Sequence, residues 1–277
     1  PFNTRSGYGD HARSIFYSIM DREDLEIKCV DVRWGETPRN HLDPKIPKHK
    51  KLLDTFVDGK NLQQPDIYID IRIPNEFQTP GKVNIGITAG VETTVVSPEF
   101  IQGCNQMNLN LATSKFTMNT FQKCKYDQRQ NVNGQEQVVG TVELQKPIAV
   151  LSEGIDTTVY KPIKDAGKSD DPFKKEIYDL IKENFVYLHV GQWGKGRYGE
   201  DRKNIALMIK CFIQAFANQP SPPALLLKTN GANFSHLDKA DIIKKIEREK
   251  DKFKSADSLP NIYLLHGDLT LEQMALL

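Results

Sequence analysis

The 277-residue chain carries 37 Lys plus Arg against 36 Asp plus Glu, a formal net charge of +1. That balance lacks the basic footprint of a nucleic-acid binder, so nucleic acid is not expected as a partner. Hydrophobic residues at 39% and charged residues at 26% suit a globular protein long enough for two domains, and no apolar run approaches the ~18 residues of a membrane span.

The chain opens on Ser6-Gly7-Tyr8-Gly9-Asp10, which reads as a glycine loop feeding a helix whose apolar positions Ile15, Phe16 and Ile19 recur at helical spacing. A strand is expected around Ile27 to Val32. Residues 35–64 are polar, and their basic run KIPKHKK reads as a solvated loop or a helix start. DIYIDIRI, KVNIGIT and MNLNLATS are strand candidates, and KFTMNTFQKC is a helix. Residues 126–146 are polar, with Asn133-Gly134 as a hairpin turn. PIAVLSEGI is the next strand, and residues 155–175, polar with two prolines, form a linker. Beyond it come a helix at 173–184, a strand at 185–190, a helix at 203–217 and a strand at 224–229. A helix at 238–254 and the strand NIYLLHG follow. Strands alternating with helices on both sides of a linker predict parallel sheets in an α/β fold.

Residues 185–228 concentrate the chemistry. A strand, FVYLHVGQW, runs into the glycine- and charge-rich loop GKGRYGEDRKN, then an apolar helix, then the strand ALLLKT. Backbone N–H groups, fixed cations and a helix start beside a buried strand make a phosphate site. Arg202, Lys203 and Lys228 are expected to converge there, because parallel strands end along one edge. Gly194, Gly196 and Gly199 spell G-x-G-x-x-G, but a dinucleotide site also needs an acidic residue at the end of the next strand. Lys228 stands there instead, and the glycines lie too far before the helix for the tight turn. A flexible Gly- and Lys-rich surface hairpin would explain the glycines but not two cations followed at once by a helix.

Cys29, Cys104, Cys124 and Cys211 are widely spaced with no C-x-x-C pair, so they read as reduced thiols in a cytoplasmic setting, without a disulfide frame or a metal. No signal-peptide pattern is read at the start. No D-x-D occurs, so a sugar transferase built on this chain would hold its donor with fixed cations in place of a divalent metal.

Four segments in order resemble GT-B glycosyltransferases of the group 1 type, family GT4. They are GYGDHARSI; GITAGVETTVVSPEFIQGCNQMN with LATSKFTMNTF; LSEGIDTTVYKP; and HVGQW…DRKN…LLLKT…LPNIYLLHGDLTLEQMALL. The resemblance implies an α/β fold of GT-B type: two Rossmann-like domains with a cleft between them, residues 1–158 on the acceptor side and 159–277 binding the nucleotide sugar. It implies transfer of a hexosyl group from a nucleotide-diphosphate sugar to a hydroxyl of a glycan, lipid or protein, with retention and without a metal. The donor is a substrate, so no cofactor is expected. Peripheral membrane contact and self-association are further partner expectations.

By the same resemblance, Gly9, Gly191, Gln192, Arg202, Lys203 and Lys228 lie at the donor diphosphate, and Gly267, Asp268 and Leu269 near the base. Glu92 and Thr93 face the acceptor. Lys203 opens the helix after the loop and neutralises the diphosphate. Many relatives carry an arginine where this chain has Gln192, and Arg202 is expected to replace it. No catalytic base is assigned.

Blander readings stand beside these. Glu92 caps a helix; Asp156 and Tyr160 fix the linker turn; His11 is solvated or capping; His189 is a packed core residue; His266 reads either way; Trp193 stacks on a ligand or packs under its loop. The chain reaches Leu277 before the family's second acidic motif, E-x(7)-E. The expectation is therefore a piece of a longer enzyme, its second domain incomplete, inactive alone and self-associating through Leu264, Leu269 and Met274. The rival readings are a GT-B nucleotide-sugar epimerase and a non-catalytic GT-B scaffold.

Overall fold

A computed structural model describes residues 1–35, 37–61, 63–132, 135–162, 171–194 and 200–277. The turn expected at Asn133-Gly134, residues 163–170 of the expected linker, and Gly196 and Gly199 lie outside the described residues. The chain divides into two compact units, Pro1–Gly154 and Ile155–Leu277. Each is α/β with parallel strands, an arrangement compatible with a Rossmann-like fold.

The first unit holds helix α1 (Gly7–Ile19), α2 (Pro47–Leu53), strands β1 (Ile67–Ile71) and β2 (Val83–Thr88), α3 (Pro98–Gln106), β3 (Leu109–Ala112), α4 (Lys115–Lys123), β4 (Lys125–Val132), β5 (Gln135–Glu143) and β6 (Ile148–Val150). Its main sheet is parallel in the order β1-β2-β3-β6. One face packs Ile71 and Ile87 against Ala12 of α1. The other side of this unit gathers Phe77, Val96, Ile101, Cys104, Met107 and Phe121. Strands β4 and β5 leave the sheet as an antiparallel hairpin with a register shift between Gln128 and Arg129. Tyr126 and Val142 near its base pack against the second cluster.

Two sequence expectations change here. Residues 27–32 form no strand: the segment makes one parallel bridge, Cys29 to Phe56, with Cys29 N–H donating to the Thr55 carbonyl at 2.9 Å. Past Cys29, Asp31 turns to side-chain and terminal contacts, accepting the Asn3 amide and the Arg39 guanidinium, and the ladder stops. The basic run, read as a solvated loop or a helix start, does start a helix, α2, with Pro47 at its first turn, where a missing N–H costs nothing. The helix that follows Gly90 is α3, with Ser97 at its N-cap position, so Glu92 does not cap it. Gly103 of α3 sits against a neighbouring turn, where a Cβ would lie 1.9 Å from the Pro74 carbonyl oxygen.

The second unit runs α5 (Pro172–Leu180), β7 (Val186–Val190), α6 (Ile205–Phe216), β8 (Ala224–Lys228), α7 (His236–Lys250), β9 (Ile262–Leu265) and α8 (Leu271–Ala275). The strands pair in parallel in sequence order, β7-β8-β9. Consecutive crossovers of one hand place their helices on one face. Accordingly Ile205, Ile209 and Ile213 of α6 and Ile242 and Ile246 of α7 pack with Leu225 and Leu227. The opposite face packs Leu226 with Ile177 and Ile181 of the α5 region and with Leu277. Central β8 is buried along its whole length. Leu264, Leu269 and Met274, expected to lack cover, are half-buried; Leu188 and Val190 of the edge strand β7 are 44% and 46% exposed. Among the described residues no helix is long and apolar enough to cross a membrane.

Gly103→Ala should lower the stability of the first unit by about 1–3 kcal/mol, because the added methyl meets backbone that cannot rotate away. Trp34 is the first unit's tryptophan and Trp193 the second's. Urea unfolding followed by Trp34 fluorescence in a Trp193→Phe background reads the effect, and an unchanged midpoint would refute the close approach of α3 to Pro74.

Candidate functional site

In a parallel sheet every strand delivers its carboxyl end to one edge, and ligands collect there. In the second unit that edge is built by Gly191 and Gln192 after β7, Lys228 closing β8, and His266 and Gly267 after β9. The loops are laced together. Gly191 N–H donates to the Lys228 carbonyl at 3.1 Å and Trp193 N–H to the Asn230 carbonyl at 2.7 Å. The Gln192 side chain donates to the Gly231 carbonyl at 2.6 Å. Gln192 thus ties one loop to the next. Trp193 is buried in the α6/α7 core, with the Lys245 ammonium 5.6 Å from its ring. It packs under its loop.

Lys228 is buried, and its ammonium donates to the Gly267 carbonyl at 2.8 Å and lies 5.2 Å from the centre of the Phe234 ring. Register explains its direction. Lys228 pairs with Val190 and Leu265, so alternation sends its side chain to the face opposite Leu227. Lys203 approaches from the other face: its stem carbon Cδ is 3.5 Å from where a Gly191 Cβ would stand. The structure thus brings Gly191, Lys203 and the backbone of Lys228 together, while the Lys228 ammonium turns to Gly267. Arg202 and Lys203 are exposed, as is Asp268; Leu269 is half-buried before the capping box of α8.

Helix α6 begins at Ile205, two residues after Lys203, so Lys203 precedes the helix and does not open it. Asn204 bends the chain with φ 51°, a left-handed conformation that Asn tolerates. Asp201, buried, accepts the Lys203 amide at 3.2 Å and the Ile205 amide at 2.7 Å. A carboxylate of the chain itself therefore takes part of the role expected of a bound phosphate at this helix start.

Asp238 organises the neighbouring loop. It accepts the Gly231 amide at 2.9 Å and the Ala232 amide at 2.8 Å, and faces His266 Nε2 at 2.8 Å. A Cβ on Gly231 would stand 2.6 Å from an Asp238 oxygen, so the backbone must be bare there. His266 also meets the Phe234 ring edge-on at 6.1 Å. Burial opposes ionisation of Asp238, but bonds from His266 and the amides of Gly231, Ala232 and Asn233 outweigh it and hold the carboxyl below its ordinary value of 3.8. The sequence reading missed Asp238, although Ser235-x-x-Asp238 is a helix-start signature that marks it. Asp201 left no comparable signal.

In the first unit, the glycines expected as a loop form the first turn of α1, capped by Ser6. Gly9 N–H donates to Ser6 Oγ at 3.0 Å, and a Cβ there would stand 2.4 Å from the Thr4 carbonyl oxygen. The Tyr8 hydroxyl accepts the Ala89 amide at 3.1 Å and pairs with Thr88 Oγ1 at 3.0 Å, fixing the end of β2. Trp34 covers the Tyr8 ring at 4.2 Å. Beyond β2 the chain turns at Gly90, φ +73°, where a Cβ would meet Thr117 Cγ2 at 2.2 Å. Glu92 and Thr93 follow, both exposed; Thr93 donates to the Val95 carbonyl at 2.8 Å. His11, expected to be solvated or capping, is buried, and neither ring nitrogen has a hydrogen-bond partner among the described residues. Burial lowers its pKa, against the pull of Glu153.

No protein-family model matches the chain, and no curated protein matches it. Among solved structures, the Candida albicans trehalose-6-phosphate phosphatase N-terminal domain is similar with 16% identity and a TM-score of 0.40. The match covers 76% of this chain and 48% of that one, so the chain spans about half the length of the structure it matches.

The Asp238 bonds carry a pH signature. A carboxyl whose folded pKa is depressed adds stability above its unfolded pKa and loses it as pH falls through the folded value. The second unit, followed by Trp193 fluorescence in a Trp34→Phe background, should lose stability as pH drops below 3.8. Asp238→Asn should flatten that loss and cost about 1–3 kcal/mol at pH 7. An identical acid profile in the variant would show that other carboxyls set it.

Proposed function

We propose that the chain binds the nucleotide-diphosphate sugar of a GT-B hexosyltransferase, with the donor at the carboxyl edge of the β7-β8-β9 sheet. The observation that supports the reading is the meeting of Gly191, the Lys203 stem and the laced loops of β7 and β8 at one carboxyl edge, with Lys203 Cδ 3.5 Å from the Cβ position of Gly191. A diphosphate placed there meets an exposed ammonium on a rigid frame. Transfer then proceeds by stabilising the leaving diphosphate, whose charge grows as the glycosidic bond breaks, while the acceptor hydroxyl is held in line. Lys203 is the residue assigned to that charge, and Arg202 is its exposed neighbour. Glu92 and Thr93, exposed beyond β2, are assigned to the acceptor. By resemblance the reaction retains configuration and uses no metal. Phosphate oxygen of the leaving group accepts the acceptor proton, so no side-chain base is named.

A second reading is favoured by a specific observation. Asp201 holds amides before α6, and the Lys228 ammonium holds Gly267, so much of the edge is satisfied by the chain itself. A GT-B module that binds but does not transfer would tolerate such closure.

Calorimetric titration with UDP-, GDP- and ADP-sugars at low salt tests the reading. One donor series should bind, and Lys203→Ala should weaken it by about 1–3 kcal/mol, the range for a charge-assisted contact. Unaltered affinity in Lys203→Ala would remove the diphosphate from this loop. Binding without sugar release in the presence of hydroxyl acceptors would favour the module.

A further inference from the structure

We propose that the amino edge of the β7-β8-β9 sheet carries a carbohydrate-binding cleft, in which a neutral sugar ring lies against Phe185 and Tyr187 and its hydroxyls bond Asn184, Ser221 and Asn261. The cleft stands apart from the donor reading above and does not depend on it.

Strand polarity separates the two places. Val186 and Ala224 begin β7 and β8, and Asn261 immediately precedes β9. The strands are parallel, so these starts share one edge, five residues of β7 away from the carboxyl edge, about 16 Å at ~3.3 Å per residue. A cleft of about 660 Å³ opens at this amino edge. That volume lies within the ~300–1,000 Å³ of small-ligand sites.

The apolar wall is aromatic. Tyr187 pairs with Leu225, which lies in the α6/α7 core, so Tyr187 and, two residues earlier, Phe185 face the α6 side. Tyr187 meets Phe212 and Phe216 at 6.0 and 5.8 Å, and Phe185 meets Tyr187 edge-on at 5.0 Å. Burial ends with Phe212, since Tyr187 is 47% and Phe185 59% exposed. Pro222 and Pro223 also line the cleft, and their locked φ makes that part of the wall stiff.

The polar groups select the ligand. Glu183 lines the cleft, but its carboxylate already accepts the Asn261 amide at 2.6 Å, the Tyr263 hydroxyl at 3.2 and 3.3 Å and the Lys182 N–H at 3.1 Å. Its charge is therefore answered within the chain and does not call for a cationic ligand. The bond from Asn261 commits its amide nitrogen and leaves its carbonyl oxygen as an acceptor. Asn184 and Ser221, both exposed, each donate and accept. Sugar hydroxyls also donate and accept, and the C–H face of a hexose ring suits the electron-rich face of an aromatic ring. A proline-rich peptide would suit the rings, but its carbonyls only accept and would leave the Asn261 oxygen without a donor.

The test is calorimetric titration of the 277-residue chain with neutral tetrasaccharides of glucose, mannose and galactose, each with and without saturating UDP, GDP or ADP. One series should bind, and the nucleotides should leave its affinity unchanged. Phe185→Ala and Asn184→Ala should each weaken binding about tenfold. Both side chains are exposed, so the fold should survive their loss. In the wild-type protein, saturating the aromatic protons should transfer magnetisation to the sugar, a reading that needs no variant. Absence of binding by every series, unaltered affinity in Phe185→Ala, or displacement of the sugar by a nucleotide would overturn the proposal. So would sedimentation showing a dimer that Phe185→Ala dissociates while no sugar binds, because a second copy would then cover the rings.

Discussion

One carboxylate, that of Asp238, holds three segments of the second unit in register. It receives amides from the loop after β8, it sits in the first turn of α7, and it meets the imidazole at the end of β9. Removing it would take the partner from two loop amides, one part-buried and one exposed, and from a histidine nitrogen at once, which is costlier than losing one hydrogen bond. The loop after β8 in turn fixes the loop after β7, through Gln192 to Gly231 and Trp193 to Asn230. The loop that carries Gly191 is therefore held in place by a chain of contacts that begins at a residue outside it. That order of dependence is what a preorganised anion site requires, since a loop that must be ordered on binding loses affinity to entropy.

The first unit reaches rigidity by a different route, through bare backbone. Gly9, Gly90 and Gly103 each stand where a methyl would overlap a neighbour. They allow α1 to close on residue 4, the turn after β2 to close on α4, and α3 to close on the turn at Pro74. The Tyr8 hydroxyl then locks the first of these to the second by bonding Thr88 and Ala89. Close approach and one phenol do there what a carboxylate does in the second unit.

Elements with strong periodicity were legible in the sequence. Apolar alternation and length identified β1, β2, β7, β8 and β9, and the helical repeat identified α1, α4, α6 and α7. Errors fell where a local signal competed with packing. Glu92 reads as a helix cap, yet α3 begins only at Pro98, with Ser97 at its N-cap position. Residues 27–32 read as a strand, yet their pairing is a single bridge between Cys29 and Phe56. At the site, the cations were visible because charge is legible in sequence, but their directions were not. Whether Lys228 turns toward Lys203 or toward Gly267 depends on strand parity against β7 and β9, which no composition reveals. The Ser235–Asp238 spacing was legible as a helix start; that the same carboxylate would also collect His266, 28 residues away, was not.

The β4–β5 hairpin has a consequence for how the first unit assembles. Strands β3 and β6 are neighbours in the sheet, yet α4 and the hairpin lie between them in the chain. Joining two strands across a long unstructured segment costs entropy that grows with the logarithm of its length. A hairpin zips locally within microseconds and brings Lys125 opposite Glu143, so the path from β3 to β6 shortens before the two strands meet. The ribbon that departs from the sheet thus acts as a clasp, turning a distant pairing into a nearly local one and favouring faster closure of the parallel sheet.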